Sequence, residues 1–374
     1  MGEAERAAHL GDLAPGADVD YRGTPLGGAL LGELLDVLRD PVTNRPRIGT
    51  ARFEGAVFPR DAGFGGATFT GDAVFDGATF SGDVWFDRVT FSGVARFGAV
   101  VFGGIAGFDG AVFARIAWFG EADFTGDARF GAVTFSGTAV LDGAVFARVA
   151  RFVAASFARD ARFGGVTFTG DARFDGAAFT SVARFDAVTF TGDARFDAVA
   201  FAGDARFGGV TFAGDAGFGA VAFTGDARFG AVTFTGDARF GGAAFTGDAR
   251  FDAVTFTSDA RFGGATFTGD ARFGGAAFTG DAGFDAAAFA GDAGFSRARF
   301  ETASRLGPLT CGGTVSLDGA VFQQPVTVEI AARQVSCART RWASTATLHL
   351  RHAELDLRDA VFEYPVLVAA RPTP

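Results

Sequence analysis

The sequence predicts an all-β solenoid, and three observations carry that expectation. Phenylalanine recurs in one register, in alternating steps of five and six residues from Phe53 to Phe300; of the 46 positions visited, 45 are Phe and one is Leu141. The residue two before each of those positions is Ala or Val without exception, as in Ala194 before Phe196 and Val199 before Phe201. Gly is abundant, at 56 residues, and falls between the apolar positions together with Thr, Asp and Arg. Residues i−2 and i of an extended chain point to the same side. Each unit therefore offers one small and one large apolar side chain to an interior and turns the rest outward. A period of 11 also fits a helical supercoil, but Gly would break such a helix at nearly every turn, at about 1 kcal/mol each. Phe, Val and Thr favour strands, and the regular Phe supplies the apolar surface that disordered chains lack.

Residues 1–50 precede the register. Within them "TPLGGALLGELLDVLRDP" predicts an amphipathic helix over about 25–39, with Thr24 as N-cap, Pro25 in the first turn and Leu30, Leu31, Leu34, Leu35 and Leu38 on one apolar face, ending before Pro41. Its expected role is a lid on the first coil, because an open solenoid end exposes unpaired strand edges. Its acidic polar face argues against anionic lipid.

Residues 51–300 hold the regular repeat, as in "FTGDARFDAVAF" from Phe190 to Phe201. The unit "DARF" with its following residues resembles the pentapeptide-repeat family: a small residue, a polar residue, a central Phe or Leu, then two outward residues. The resemblance covers about residues 51–328, and the Ala/Gly/Arg-rich, Lys-free composition is of the GC-rich, actinobacterial type. It implies a right-handed quadrilateral parallel β-helix with four units per coil. This chain departs from the plain pattern in that every second unit has six residues, with a Gly in the insertion, such as Gly192. Four such units make a coil of about 22 residues instead of 20. A closure after half that length is the alternative, but two Phe per layer leave little room for a closed turn, so Phe196 is expected beside Phe218 rather than Phe207. The extra residue is expected at two opposite corners as a bulge or wider turn, with Gly there for its tolerance of unusual backbone angles. On that basis the 248 residues from Phe53 to Phe300 make about 11 coils spaced about 4.8 Å apart.

Residues 301–374 carry the register in degraded form. Leu306, Cys311, Leu317, Phe322 and Val328 keep it, Arg333 breaks it, and Leu357, Phe362 and Val368 resume it. No helix is expected to close this end, so a homodimer through the open end is one expectation and a longer architecture the other.

Composition narrows the function classes. The net charge is −10 and all 33 basic residues are Arg, which argues against a direct nucleic-acid partner held by a basic surface. No basic region followed by an apolar run marks a signal peptide, and no apolar run reaches the roughly 18 residues of a membrane span; the expected compartment is the cytoplasm. Cys311 and Cys337 are expected to be reduced.

No catalytic residue, cofactor site or metal site is expected. The three His are His9, His349 and His352; the last two form "HLRH", whose spacing points them to opposite faces of a strand. No Gly-rich phosphate loop ending in Lys exists, since Lys is absent. Asp171, Asp193, Asp215, Asp237, Asp259 and Asp281 recur once per expected coil, with Arg173, Arg195, Arg239 and Arg261 two positions further on. They are expected to stack as a solvated ion ladder worth little per pair.

The expected function is a non-enzymatic scaffold that displays a surface to an unidentified protein partner. Two alternatives rest on that surface. Some members of the family resembled mimic duplex DNA and bind DNA gyrase, but residues 53–300 carry 28 Asp and Glu against 20 Arg, far below one charge per roughly 1.7 Å of duplex. The other alternative is ice binding by a flat threonine array: Thr167 with Thr169, Thr189 with Thr191, Thr233 with Thr235 and Thr255 with Thr257, with Thr211 and Ala213 between.

Overall fold

The computed structural model describes residues 10–370, in two compact units, Met1–Ser181 and Val182–Pro374. Each unit is a parallel β-solenoid built from two-residue strands, as expected from one inward small residue and one inward Phe per side.

Successive coils are offset by 22 residues, the separation of Asp193 from Asp215 and of Asp215 from Asp237. In the second unit Thr211 pairs with Thr233 and Thr233 with Thr255, Ala216 with Ala238 and Ala238 with Ala260, Ala205 with Ala227 and Ala227 with Ala249, and Ala222 with Ala244 and Ala244 with Thr266. These four ladders are the four sides of the coil. The first unit repeats the scheme, with Val57 paired to Thr79, Ala62 to Val84, Thr68 to Thr90 and Ala73 to Ala95. Donors alternate between sides: Ala216 and Phe218 give their N–H to the following coil, at Asp237 and Arg239, whereas Thr233 and Thr235 give theirs to the preceding one, at Val210 and Phe212.

Every Phe of the register is buried. Phe196 stacks on Phe218 with centroids 4.9 Å apart and planes within 2°, and meets Phe207, half a coil on, edge-to-face at 5.7 Å and 89°. Both arrangements are favoured by the aromatic quadrupole.

The corners correct one expectation. The left-handed backbone sits in the five-residue segments, two residues after the Phe that opens each, and it does not require Gly: Gly209, Gly242 and Gly264 occupy it, but so do Ala198 (φ 57), Ala231 (φ 54) and Ala253 (φ 55). An i+3 hydrogen bond, such as Val199 N–H to Phe196 O, closes a turn left-handed at its third residue, as in type II. The Gly of the six-residue segment has another cause. A Cβ on Gly236 would lie 2.6 Å from the Gly214 carbonyl carbon, and one on Gly247 2.6 Å from the Gly225 oxygen. At these two glycines the preceding coil approaches too closely for a Cβ to be added without a shift of backbone, although Arg115, Arg148 and Ser258 hold the same position in other coils, so it is close contact and not a left-handed backbone that favours Gly here.

In the first unit, helix α1 spans Gly28–Val37, shorter than the expected 25–39. Gly27 stands at the N-cap without a side-chain cap. Thr24 and Pro25 are not used as expected: Pro25 bridges Val57, and the Leu26 N–H donates to Val57 O. Leu31, Leu34, Leu35 and Leu38 are buried, with Leu26 beside them, while Leu30 is only half-buried. The helix lies against the strand Ala62–Gly63 and so covers an early coil. A strand precedes it: Val19–Asp20 pairs with Ala51–Arg52, and Tyr21 stacks on Phe53 at 6.0 Å. The solenoid therefore begins upstream of the helix.

In the second unit the coil contracts after Phe300. Phe300 pairs with Phe322 at the regular spacing, but Phe322 with Trp342 and Trp342 with Phe362 stand two residues closer in sequence. The same shorter step separates Asp318 from the Ala338 N–H that it accepts. The residues are dropped at irregularities between Leu306 and Leu309 and between Cys311 and Thr314. Arg333 is exposed yet does not break the solenoid, because Ile330, Ala332, Val335 and Cys337 take over its core. The resumption expected at Leu357 is thus the continuation of the shortened coil.

Candidate interaction surfaces

With the apolar side chains inside, chemistry lies on the outer faces. The acidic columns are structural before they are anything else. At the six-residue corners the Asp193 carboxylate accepts the Asp215 N–H at 3.1 Å and Asp215 accepts the Asp237 N–H at 3.1 Å. At the five-residue corners Asp197 accepts the Gly219 N–H at 2.7 Å and Asp252 the Gly274 N–H at 3.2 Å. Corner N–H groups lack a ladder partner, and an unsatisfied donor is costly; a carboxylate one coil back supplies the acceptor. The second oxygen then meets Arg: Arg239 reaches Asp215 at 2.7 Å and Asp237 at 3.1 Å. In the first unit Arg173 meets Asp171 at 3.3 Å. The expected solvated ladder was half right, since the ion pairs exist but the N–H contacts were not foreseen.

Two carboxyls show the balance of forces. Burial pushes Asp87 above its ordinary range, outweighing the hydrogen bond from the Asp109 N–H. Burial acts in the same sense on Asp226, but the hydrogen bonds from Arg228 and the Asp248 N–H, with the charges of Arg228 and Arg250, hold it below the usual range.

Thr189, Thr211, Thr233 and Thr255 occupy successive rungs of one side of the second unit, with Thr191, Ala213, Thr235 and Thr257 exposed just beyond the buried Phe. Thr167 and Thr169 hold the corresponding repeat positions in the first unit, where Thr167 pairs with Val145.

His349 stands within the strand Ala346–Arg351, opposite Glu329, while His352 lies beyond it in a left-handed corner; His9 is outside the described residues. Cys311 and Cys337 are free and buried, and burial pushes the Cys337 thiol up to about 12. Among the described residues no group of three or more His, Cys, Asp and Glu is placed to hold a metal, and no helix is long and apolar enough to cross a membrane.

The end that was expected to be open carries, in the last described coil, an apolar cluster that sequence reasoning did not name. Val361, Phe362, Tyr364, Leu367 and Val368 are 41–59% exposed. Phe362 is the outermost ring of a stack that runs back through Trp342 and Phe322 to Phe300.

A four-sided parallel solenoid of two-residue strands, Phe inside and Asp capping its corners, defines a class of repeat protein. The family model described as pentapeptide repeats (9 copies) matches this chain repeatedly, at residues 53–101, 86–134, 132–178, 174–222, 229–277, 246–288 and 262–308. The chain belongs to the pentapeptide-repeat family. No curated protein and no solved structure matches it.

Proposed function

We propose that the protein is a non-catalytic scaffold that holds a fixed outer surface for protein contacts and pairs with a second copy of itself through its C-terminal coil. The observation that carries this reading is the exposed cluster of Val361, Phe362, Tyr364, Leu367 and Val368 around the edge strand Val366–Ala370. A strand edge with apolar side chains is a template for another strand, and a second copy supplies an identical one. Along the regular repeat many of the charged side chains are engaged with their own neighbours, Asp with corner N–H groups and Arg with Asp. The same pairing weakens the gyrase-directed DNA-mimic reading, since the carboxylates are turned toward the protein's own backbone and guanidinium groups.

The test is light scattering on the eluting protein, with Phe362→Asp/Leu367→Asp beside it. The wild type should run as a dimer at micromolar concentration and the variant as a monomer with unchanged circular dichroism. A monomeric wild type, or a variant that still dimerises, contradicts the pairing. The rung-by-rung column Thr189, Thr211, Thr233 and Thr255 supports a second reading, ice binding, whose measurement is thermal hysteresis; none at millimolar protein ends it.

A further inference from the structure

We propose that Trp118 is a stacking platform for one ring of a saccharide. The repeat supplies its own reference. From Asp204 to Arg272 the two outward columns of the corresponding side read Asp and Arg at every coil, as in Asp226 with Arg228 and Asp248 with Arg250. In the first unit these positions become Val94 with Arg96, Ile116 with Trp118 and Thr138 with Val140. Nothing in the fold requires that change, because the same positions accept Asp and Arg elsewhere. Ile116 is nevertheless 45% and Trp118 42% exposed.

The indole has a seat. Arg96, Trp118 and Val140 occupy successive rungs. A Cβ on Gly98 would lie 3.3 Å from the indole Cδ1 and Nε1, and one on Gly120 2.8 Å from Nε1. Two glycines thus let the ring rest against the turns, and Gly120 is buried beneath it.

The patch is too small for a stable protein partner or a second copy, which engage about 20–30 residues a side. Its apolar exposure is confined to Ile116 and Trp118, and along the columns it is closed by the ion pairs Arg96–Asp76 and Arg162–Asp142, both 2.6 Å. A single ring fits that size. The negative face of an indole attracts the weakly positive C–H face of a pyranose. The hydroxyls on the ring edge then need both donors and acceptors. Arg96 spends its Nε–H on Asp76 and keeps its other N–H groups. The Glu121 carboxylate, in an exposed left-handed corner, forms no ion pair among the described residues.

The test is isothermal titration calorimetry on the full chain with cellohexaose, chitohexaose, maltohexaose and xylohexaose. At least one should bind, with Trp118→Ala weakening it by at least about tenfold, as expected for loss of a stacked ring, Trp118→Phe restoring part of the affinity, and Trp85→Ala leaving it unchanged. No heat with any of the four at about 10 mM (a Kd above the millimolar range) overturns the proposal. So does binding that survives Trp118→Ala, or tighter binding of a proline-rich decapeptide at Trp118. Trp118 is a surface residue, and unchanged circular dichroism separates lost binding from lost folding.

Discussion

The rings of Phe196 and Phe218 lie 4.9 Å apart and within 2° of parallel, although a full coil of chain separates them. Phe218 is also stacked on Phe240 at 4.7 Å and touched edge-on by Phe207 and Phe229. A ring held on four sides cannot be removed without leaving a cavity that its neighbours cannot fill. Phe218→Ala should cost about 3–5 kcal/mol in denaturant unfolding. Phe218→Leu should cost clearly less, since Leu141 fills an equivalent buried position.

The two kinds of corner should respond oppositely to a methyl group. Gly236→Ala drives a Cβ to 2.6 Å from the Gly214 carbonyl carbon and should destabilise by about 1–3 kcal/mol, because backbone must shift toward the arrangement that accommodates Ser258 one coil on. Ala253→Gly, at φ 55, relieves left-handed strain and should stabilise by up to about 1 kcal/mol. Melting curves of the two variants check both signs.

Asp87 and Asp226 should give opposite pH dependences. The folded-state value of Asp87 is raised, so the folded protein holds that proton more tightly and stability falls as pH rises through the folded value. Asp87→Asn should therefore stabilise at pH 7 and have little effect under acid conditions. The value of Asp226 is lowered, so its contribution is present above the unfolded value and is lost as pH falls through the folded one. Asp226→Asn should destabilise at pH 7 and converge with the wild type in acid. Denaturant midpoints measured across that range decide both.

Both cysteines should be inert in the native state. Burial pushes Cys311 up and Cys337 to about 12, which keeps the thiols protonated, and only the thiolate reacts. Alkylation at pH 8 should modify neither until denaturant is added, and then both. Rapid native labelling of Cys337 contradicts its place in the core.

The core was legible because its rule is one-dimensional. Ala or Val at i−2 and Phe at i state which side is inside, and the steric need for a coil wider than two Phe sets the register at four units. The roles of single polar residues were not legible. Asp215 looks like a surface charge, and only the three-dimensional approach of Asp237 makes it an acceptor for a backbone N–H. Gly236 reads as a flexible corner until the distance to Gly214 shows that it is a contact. That Thr189, Thr211, Thr233 and Thr255 share one side follows from their spacing, whereas the open C-terminal end was expected without the residues exposed on it, because Phe362 reads as one more core position of the register. Arg333 misled because its strand, Val326–Ser336, keeps pace with the preceding one by dropping residues at two irregularities, which no fixed period describes.

Disulfide trapping tests whether a residue of the regular repeat finds its partner in the next coil, one full circuit of four units away. Thr233 and Thr255 are partners in register on neighbouring strands, about 4.8 Å apart and within reach of a disulfide. The pair Thr233→Cys/Thr255→Cys should cross-link on mild oxidation, and Thr233→Cys/Ala244→Cys, half a coil apart and on another side, should not. Efficient cross-linking of the second pair and none of the first would contradict the fold described here.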